Sequence, residues 1–97
     1  MGLRVRWSRQ SHDHLIAIRQ RIRADNPSAA EEMRLRIVKV VRLLGVMPGM
    51  GHLGRRKGTL EFVISPYILV YRIVREELQV LGIFHGHREK WEDFSHE

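Results

Sequence analysis

A chain of 97 residues has the length of one domain (1–97), able to bury about 60 to 70% of the surface its unfolded form exposes, with no room for a second core. It has no cysteine, which excludes a disulfide framework and a thiolate metal site. Lys and Arg number 17 against 11 Asp and Glu, a net charge of +6; this surplus favours nucleic acid or an acidic protein segment as partner, with a merely solvated basic surface as the plain alternative.

The N-terminus MGLRVRWSRQ carries charges where a secretory signal needs its apolar run, and no apolar stretch reaches membrane-spanning length. The expectation is a soluble cytoplasmic protein with no membrane partner. Leu3-Arg4-Val5-Arg6-Trp7 alternates apolar and charged side chains at the period of a half-buried strand. Ser11 is placed to cap a helix in which Leu15, Ile18 and Ile22 form an apolar stripe, ending near Asp25. Asn26-Pro27 supplies a cap and a proline suited to a first helical turn, and Ser28 to Glu31 repeats the capping-box spacing one register later. Ala29, Ala30, Met33, Ile37, Val40, Val41 and Leu44 then recur three and four apart up to Gly45, giving a second amphipathic helix and, with the first, a helical hairpin.

GMGHLG, residues 49–54, matches a dinucleotide-binding fingerprint letter for letter. That motif works only where glycines leave a strand and open a helix, whose free N–H groups receive the pyrophosphate. Here the order is reversed, so the match is fortuitous and no cofactor is expected. The glycines instead predict a mobile loop presenting Arg55, Arg56 and Lys57 to a phosphate backbone or an acidic peptide.

Leu60, Phe62 and Ile64 alternate with Thr59, Glu61 and Ser65 at strand period. Tyr67 to Val74 is a nearly continuous apolar run, expected as a central strand covered on both faces. A short turn at Arg75-Glu76-Glu77 leads to a last strand, Leu78 to His85, in which Gly82 allows close backbone approach. The order is β-α-α-β-β-β: an α+β domain with an antiparallel sheet and an N-terminal helical hairpin packed on one face.

The strand runs into His85-Gly86-His87-Arg88-Glu89-Lys90-Trp91. Two histidines, an arginine and a glutamate in five positions contain an acid, a base and a cation for phosphodiester cleavage, or are surface polar residues ending a strand. His12-Asp13-His14 repeats the His-x-His pattern, but neither pair has a spacing that fixes a metal, and none is expected. Trp91 and Phe94 are expected to pack the tail against the sheet.

The element order, NPSAA between the helices, the proline-and-glycine loop before a GT-initiated strand, SPYILVYRI and the closing IFHGHREKW together resemble the RelE/ParE superfamily of type II toxin–antitoxin toxins, from about Trp7 to Trp91. The resemblance implies a growth-inhibiting toxin neutralised by a cognate antitoxin, with higher-order toxin–antitoxin assemblies possible. RelE-like members cleave mRNA on the ribosome using cations on a sheet face, an arginine after the last strand and a tail aromatic hydroxyl. Arg88 matches that arginine, but the tail aromatic corresponds to Phe94, and the other cationic positions fall at Thr59, Glu61 and Ile68. ParE-like members lack this set and inhibit DNA gyrase by binding.

The ParE-like reading is therefore preferred, without catalytic residues. Arg55, Arg56, Lys57, Arg72, His85, His87 and Arg88 are the expected contacts to target or antitoxin. The alternative is a ribosome-dependent mRNA endonuclease using His85, His87 and Arg88. A third option is a non-toxic nucleic-acid-binding regulator.

Overall fold

The computed structural model describes residues 2–86; His87, Arg88, Trp91 and Phe94 lie outside them. In chain order the elements are β1 (Arg4–Trp7), α1 (Arg9–Arg23), α2 (Pro27–Val46), a 3-10 turn (Pro48–Met50), β2 (His52–Leu53), β3 (Leu60–Ile64), β4 (Tyr67–Val74) and β5 (Glu77–His85). The sheet runs β1-β5-β4-β3-β2, which puts β4 in its middle as its apolar run requires.

β2 through β5 pair antiparallel, as short turns dictate. β1 differs from the all-antiparallel expectation. It lies parallel to β5, with Arg4 opposite Glu77 and Trp7 opposite Val80. No short turn links these two strands, so nothing local imposes an antiparallel pairing, and the sheet is mixed.

α1 starts one turn earlier than its apolar stripe suggests. Its N-cap is Ser8, whose Oγ accepts from the Ser11 backbone N–H at 3.0 Å. Ser11 is instead a buried first-turn residue, its hydroxyl donating to the Ser8 carbonyl at 2.8 Å. Two serines three apart both suit a cap; the one nearer the strand wins because its hydroxyl also donates to the Leu81 carbonyl. At α2 the cap is Asn26, its side-chain oxygen accepting from Ala29 N–H at 3.1 Å, with Pro27 in the first turn.

The hairpin covers one sheet face. Ile18, Ile37, Val41 and Leu44 from the helices meet Leu69, Tyr71, Leu78, Val80 and Ile83 from the sheet in one core, while Val70, Leu81 and Phe84 form a smaller buried cluster. β4 is buried from Tyr67 to Tyr71, apart from half-buried Ile68, but opens at Ile73 and Val74, each 40% exposed. Past Val80 the edge of β5 has no strand beside it, and α1 takes over: the Ile83 N–H donates to His14 Nδ1 at 3.1 Å. The Phe84 ring meets the same imidazole edge-on, 5.1 Å between centroids. A covered edge of this kind removes a template for unwanted strand pairing.

Candidate functional site

The glycine-rich loop is built, not slack. Tyr71, fully buried in β4, donates its hydroxyl to the Pro48 carbonyl at 2.8 Å and accepts the Gly51 N–H at 3.2 Å, and burial raises its phenol pKa. A side chain at Gly51 would run into that hydroxyl and the Glu61 carbonyl, so this glycine is required by close approach. Beyond β2, Gly54 N–H bonds the Thr59 carbonyl, and both the N–H and the hydroxyl of Thr59 bond the Arg56 carbonyl. Gly58 closes the turn at φ +81°. The expected loop presents its cations, but on a frame of hydrogen bonds.

Glu61 anchors that frame. It sits on β3 opposite His52, its side chain only 5% exposed, and accepts the Arg55 backbone N–H at 2.8 Å. His52 Nε2 lies 3.7 Å and Arg55 Nε 3.8 Å from its oxygens. The carboxylate thus holds the Arg55 backbone and guanidinium and the His52 imidazole beside it. Sequence reasoning reads Glu61 as a lost cation; its anchoring role was hidden because a two-residue strand leaves no periodic signal.

The expected contact residues divide between two ends of the sheet. Arg55, with Val63, Pro66 and Ile68, lines a depression of about 300 Å3 that reaches Gly86, beside His85, whose ring meets Tyr67 edge-on at 5.6 Å. Lys57 is exposed, Arg56 half-buried. Arg72 is elsewhere. It lies on β4 opposite Gln79, donating Nε to Gln79 Oε1 at 2.7 Å; Gln79 Nε2 donates to Glu77 Oε1 at 2.7 Å, and Arg6 Nε reaches the same oxygen at 3.3 Å. The Gln79 bond first, then Arg6, holds the Glu77 carboxyl below the ordinary carboxylate range. The alternation in Arg4-Val5-Arg6 marked a strand, but nothing local marked β5 as its neighbour.

Thr59, Glu61 and Val70 are buried and Ile68 is half-buried, so these four sheet positions carry one carboxylate and no cation. Among the described residues no group of three potential ligands suits a metal ion, and no helix is long and apolar enough to cross a membrane.

Comparison with known proteins places this geometry. The profile of the ParE toxin of type II toxin–antitoxin systems matches residues 5–90. A Sinorhizobium fredii protein, the toxin candidate Y4kP, is 36% identical over 88 residues, covering 89% of this chain and 91% of its own. The chromosomal ParDE system of P. aeruginosa superposes with a TM-score of 0.78 at 22% identity, covering 87% of this chain and 96% of that one. The RelBE2 toxin–antitoxin complex of Mycobacterium tuberculosis gives 0.66 at 22%, covering 88% and 99%. Those two likenesses carry the fold; the profile and the sequence relative carry the family. The chain belongs to the ParE toxin family within the RelE/ParE superfamily of type II toxin–antitoxin toxins.

Proposed function

We propose that this toxin acts as a gyrase inhibitor, by binding, and that its cognate antitoxin neutralises it in the cytoplasm. One observation carries the choice over ribosome-dependent mRNA cleavage. The sheet positions where a nuclease of this superfamily needs cations hold Thr59, Glu61 and Ile68, and the one charged group among them is a buried carboxylate occupied with a backbone N–H. Those positions therefore supply none of the positive charge that stabilises a phosphoryl-transfer transition state.

An antitoxin surface is supported by α2. Leu35, Leu43 and Val46 are 52, 41 and 64% exposed and share a helix side with Lys39 and Arg42, a mixture that suits an acidic amphipathic segment. Arg55, Arg56, Lys57, Arg72, His85, His87 and Arg88 remain the proposed contacts to target or antitoxin.

The test is direct. Purified toxin should inhibit gyrase supercoiling and accumulate cleaved DNA, antitoxin should relieve both effects, and programmed ribosomes should keep their mRNA intact. His85→Ala and His87→Ala should change inhibition little, since no proton is transferred, whereas Arg88→Glu should weaken it. Codon-positioned mRNA cuts lost by roughly 10²- to 10⁴-fold in those histidine variants, with gyrase unaffected, would reverse the assignment.

A further inference from the structure

The row Arg6, Gln79, Arg72 crosses three strands on the sheet face turned away from the helical hairpin, in register on β1, β5 and β4. Arg4, Glu77 and Val74 form the next row on the same face. Each of the two outer guanidiniums is pinned by its Nε alone, Arg72 to Gln79 and Arg6 to Glu77. Gln79, 7% exposed, ties the two anchors together through its amide. The terminal Nη atoms of Arg6 and Arg72 have no hydrogen bond among the described residues. This is a rack: a buried carboxamide and one carboxylate hold two arginines in place by one edge and leave their Nη donors unbonded among the described residues.

On the two rows three arginines, Arg4, Arg6 and Arg72, meet one carboxylate, Glu77, and the adjoining turn adds Arg75 and Glu76, so the patch keeps an excess of two positive charges. It borders a depression of about 630 Å3 lined by Arg4, Val74, Arg75 and Glu76. We infer that this rack is a contact surface for the phosphate backbone of duplex DNA, separate from the Arg55–Lys57 loop. Charge complementarity selects an anion, and guanidinium Nη donors left unbonded suit phosphate oxygens. The spacing favours a duplex. Arg6 and Arg72 stand two strand spacings apart, about 10 Å, and Arg4 and Arg6 about 6.6 Å along β1, so the patch spans distances like the groove widths of about 6 to 12 Å that separate phosphate rails. The inference does not rest on the gyrase reading, because it concerns DNA binding by the toxin alone.

The experiment measures binding of the full chain to a fluorescein-labelled 20-base-pair duplex of arbitrary sequence across a salt series. Three phosphate contacts predict a slope of log affinity on log salt near −2.7, and Arg4→Gln, Arg6→Gln and Arg72→Gln should each flatten it by about 0.9 and weaken binding about 3- to 10-fold. Arg21→Gln and Arg23→Gln, at the far end of α1, remove equal charge and should change affinity by less than about twofold. Gln79→Met unpins Arg72 and removes the amide that steadies Glu77, the partner of Arg6, without altering charge. It should weaken binding several-fold with the slope retained, the mark of lost preorganisation and not of lost charge. Its fold is checked by circular dichroism, and the exposed Arg6→Gln variant carries the test if Gln79→Met fails to fold. Duplex affinity indifferent to Arg4, Arg6 and Arg72, or lowered equally by the Arg21 and Arg23 controls, would overturn the inference. So would tighter, equally arginine-dependent binding of single-stranded RNA or of a poly-glutamate peptide, which would assign the face to a different partner.

Discussion

Gly51 and Tyr71 are coupled through a single oxygen atom, and that coupling is measurable. Gly51→Ala pushes a methyl group at the buried hydroxyl and should destabilise the fold by about 1 to 3 kcal/mol. Tyr71→Phe leaves the Gly51 N–H and Pro48 carbonyl without their partner, costing about 1 to 3 kcal/mol. In the double variant the phenylalanine removes the closest of the methyl group's clashes, leaving those with the Glu61 carbonyl and the ring edge, so thermal or urea unfolding should show a loss smaller than the sum of the two. Additive losses would mean that the hydroxyl is not what makes Gly51 necessary. Glu77 gives a second prediction at this scale. Its carboxyl is held low chiefly by Gln79 and then Arg6. A group depressed in the folded state stabilises the fold fully above its unfolded value, and that contribution fades as pH falls through the lower folded value. A carboxyl-carbon titration should therefore place Glu77 below the ordinary glutamate midpoint of about 4.3, and Gln79→Met should bring it back up; a wild-type midpoint at or above that value would contradict the hydrogen-bonded rack.

Among the elements, legibility in the sequence followed length and periodicity. Tyr67–Val74 was readable to the residue because an apolar, β-branched and aromatic run broken only by Arg72 leaves few alternatives, and Asn26-Pro27 marked the start of α2 because a cap and a proline agree there. β2 was invisible: its two residues exist because Tyr71 and Glu61 hold the chain beside β3. The parallel seat of β1 was equally hidden, since a strand's pattern states which face is buried but not which neighbour it takes. The contact residues divide in the same way. Arg55, Arg56 and Lys57 announce themselves as a run of charge, whereas Arg6, Gln79 and Glu77 become one network only when three strands meet. Amide exchange should report this hierarchy, slowest from Leu69 to Tyr71 and Leu78 to Ile83, and fast at His52 and Leu53. Uniform protection across β2 and β4 would mean that the short strand contributes to the global core after all.

At the scale of the whole molecule, the seat of β1 against β5 governs when the fold can be completed. Ser8 and Leu81, joined by a hydrogen bond, stand 73 positions apart, and every pair in that ladder is as distant. The helical hairpin and the β3–β4 hairpin need only local closure, so they can form early, but the sheet cannot take in its first strand until its last has been made. A fragment ending at Arg75 should accordingly show helical circular dichroism without a cooperative thermal transition, while the full chain melts in one step. During synthesis at about 5 to 20 residues per second, β1 waits on the order of 4 to 15 seconds for its neighbour. Throughout that interval the arginines of β1 face no Glu77 and the face they share with Arg72 does not exist. A chain whose first strand is locked in only by its last presents no finished sheet face for most of its own synthesis, and under the function proposed above that delay gives an antitoxin time to be present before the surface appears.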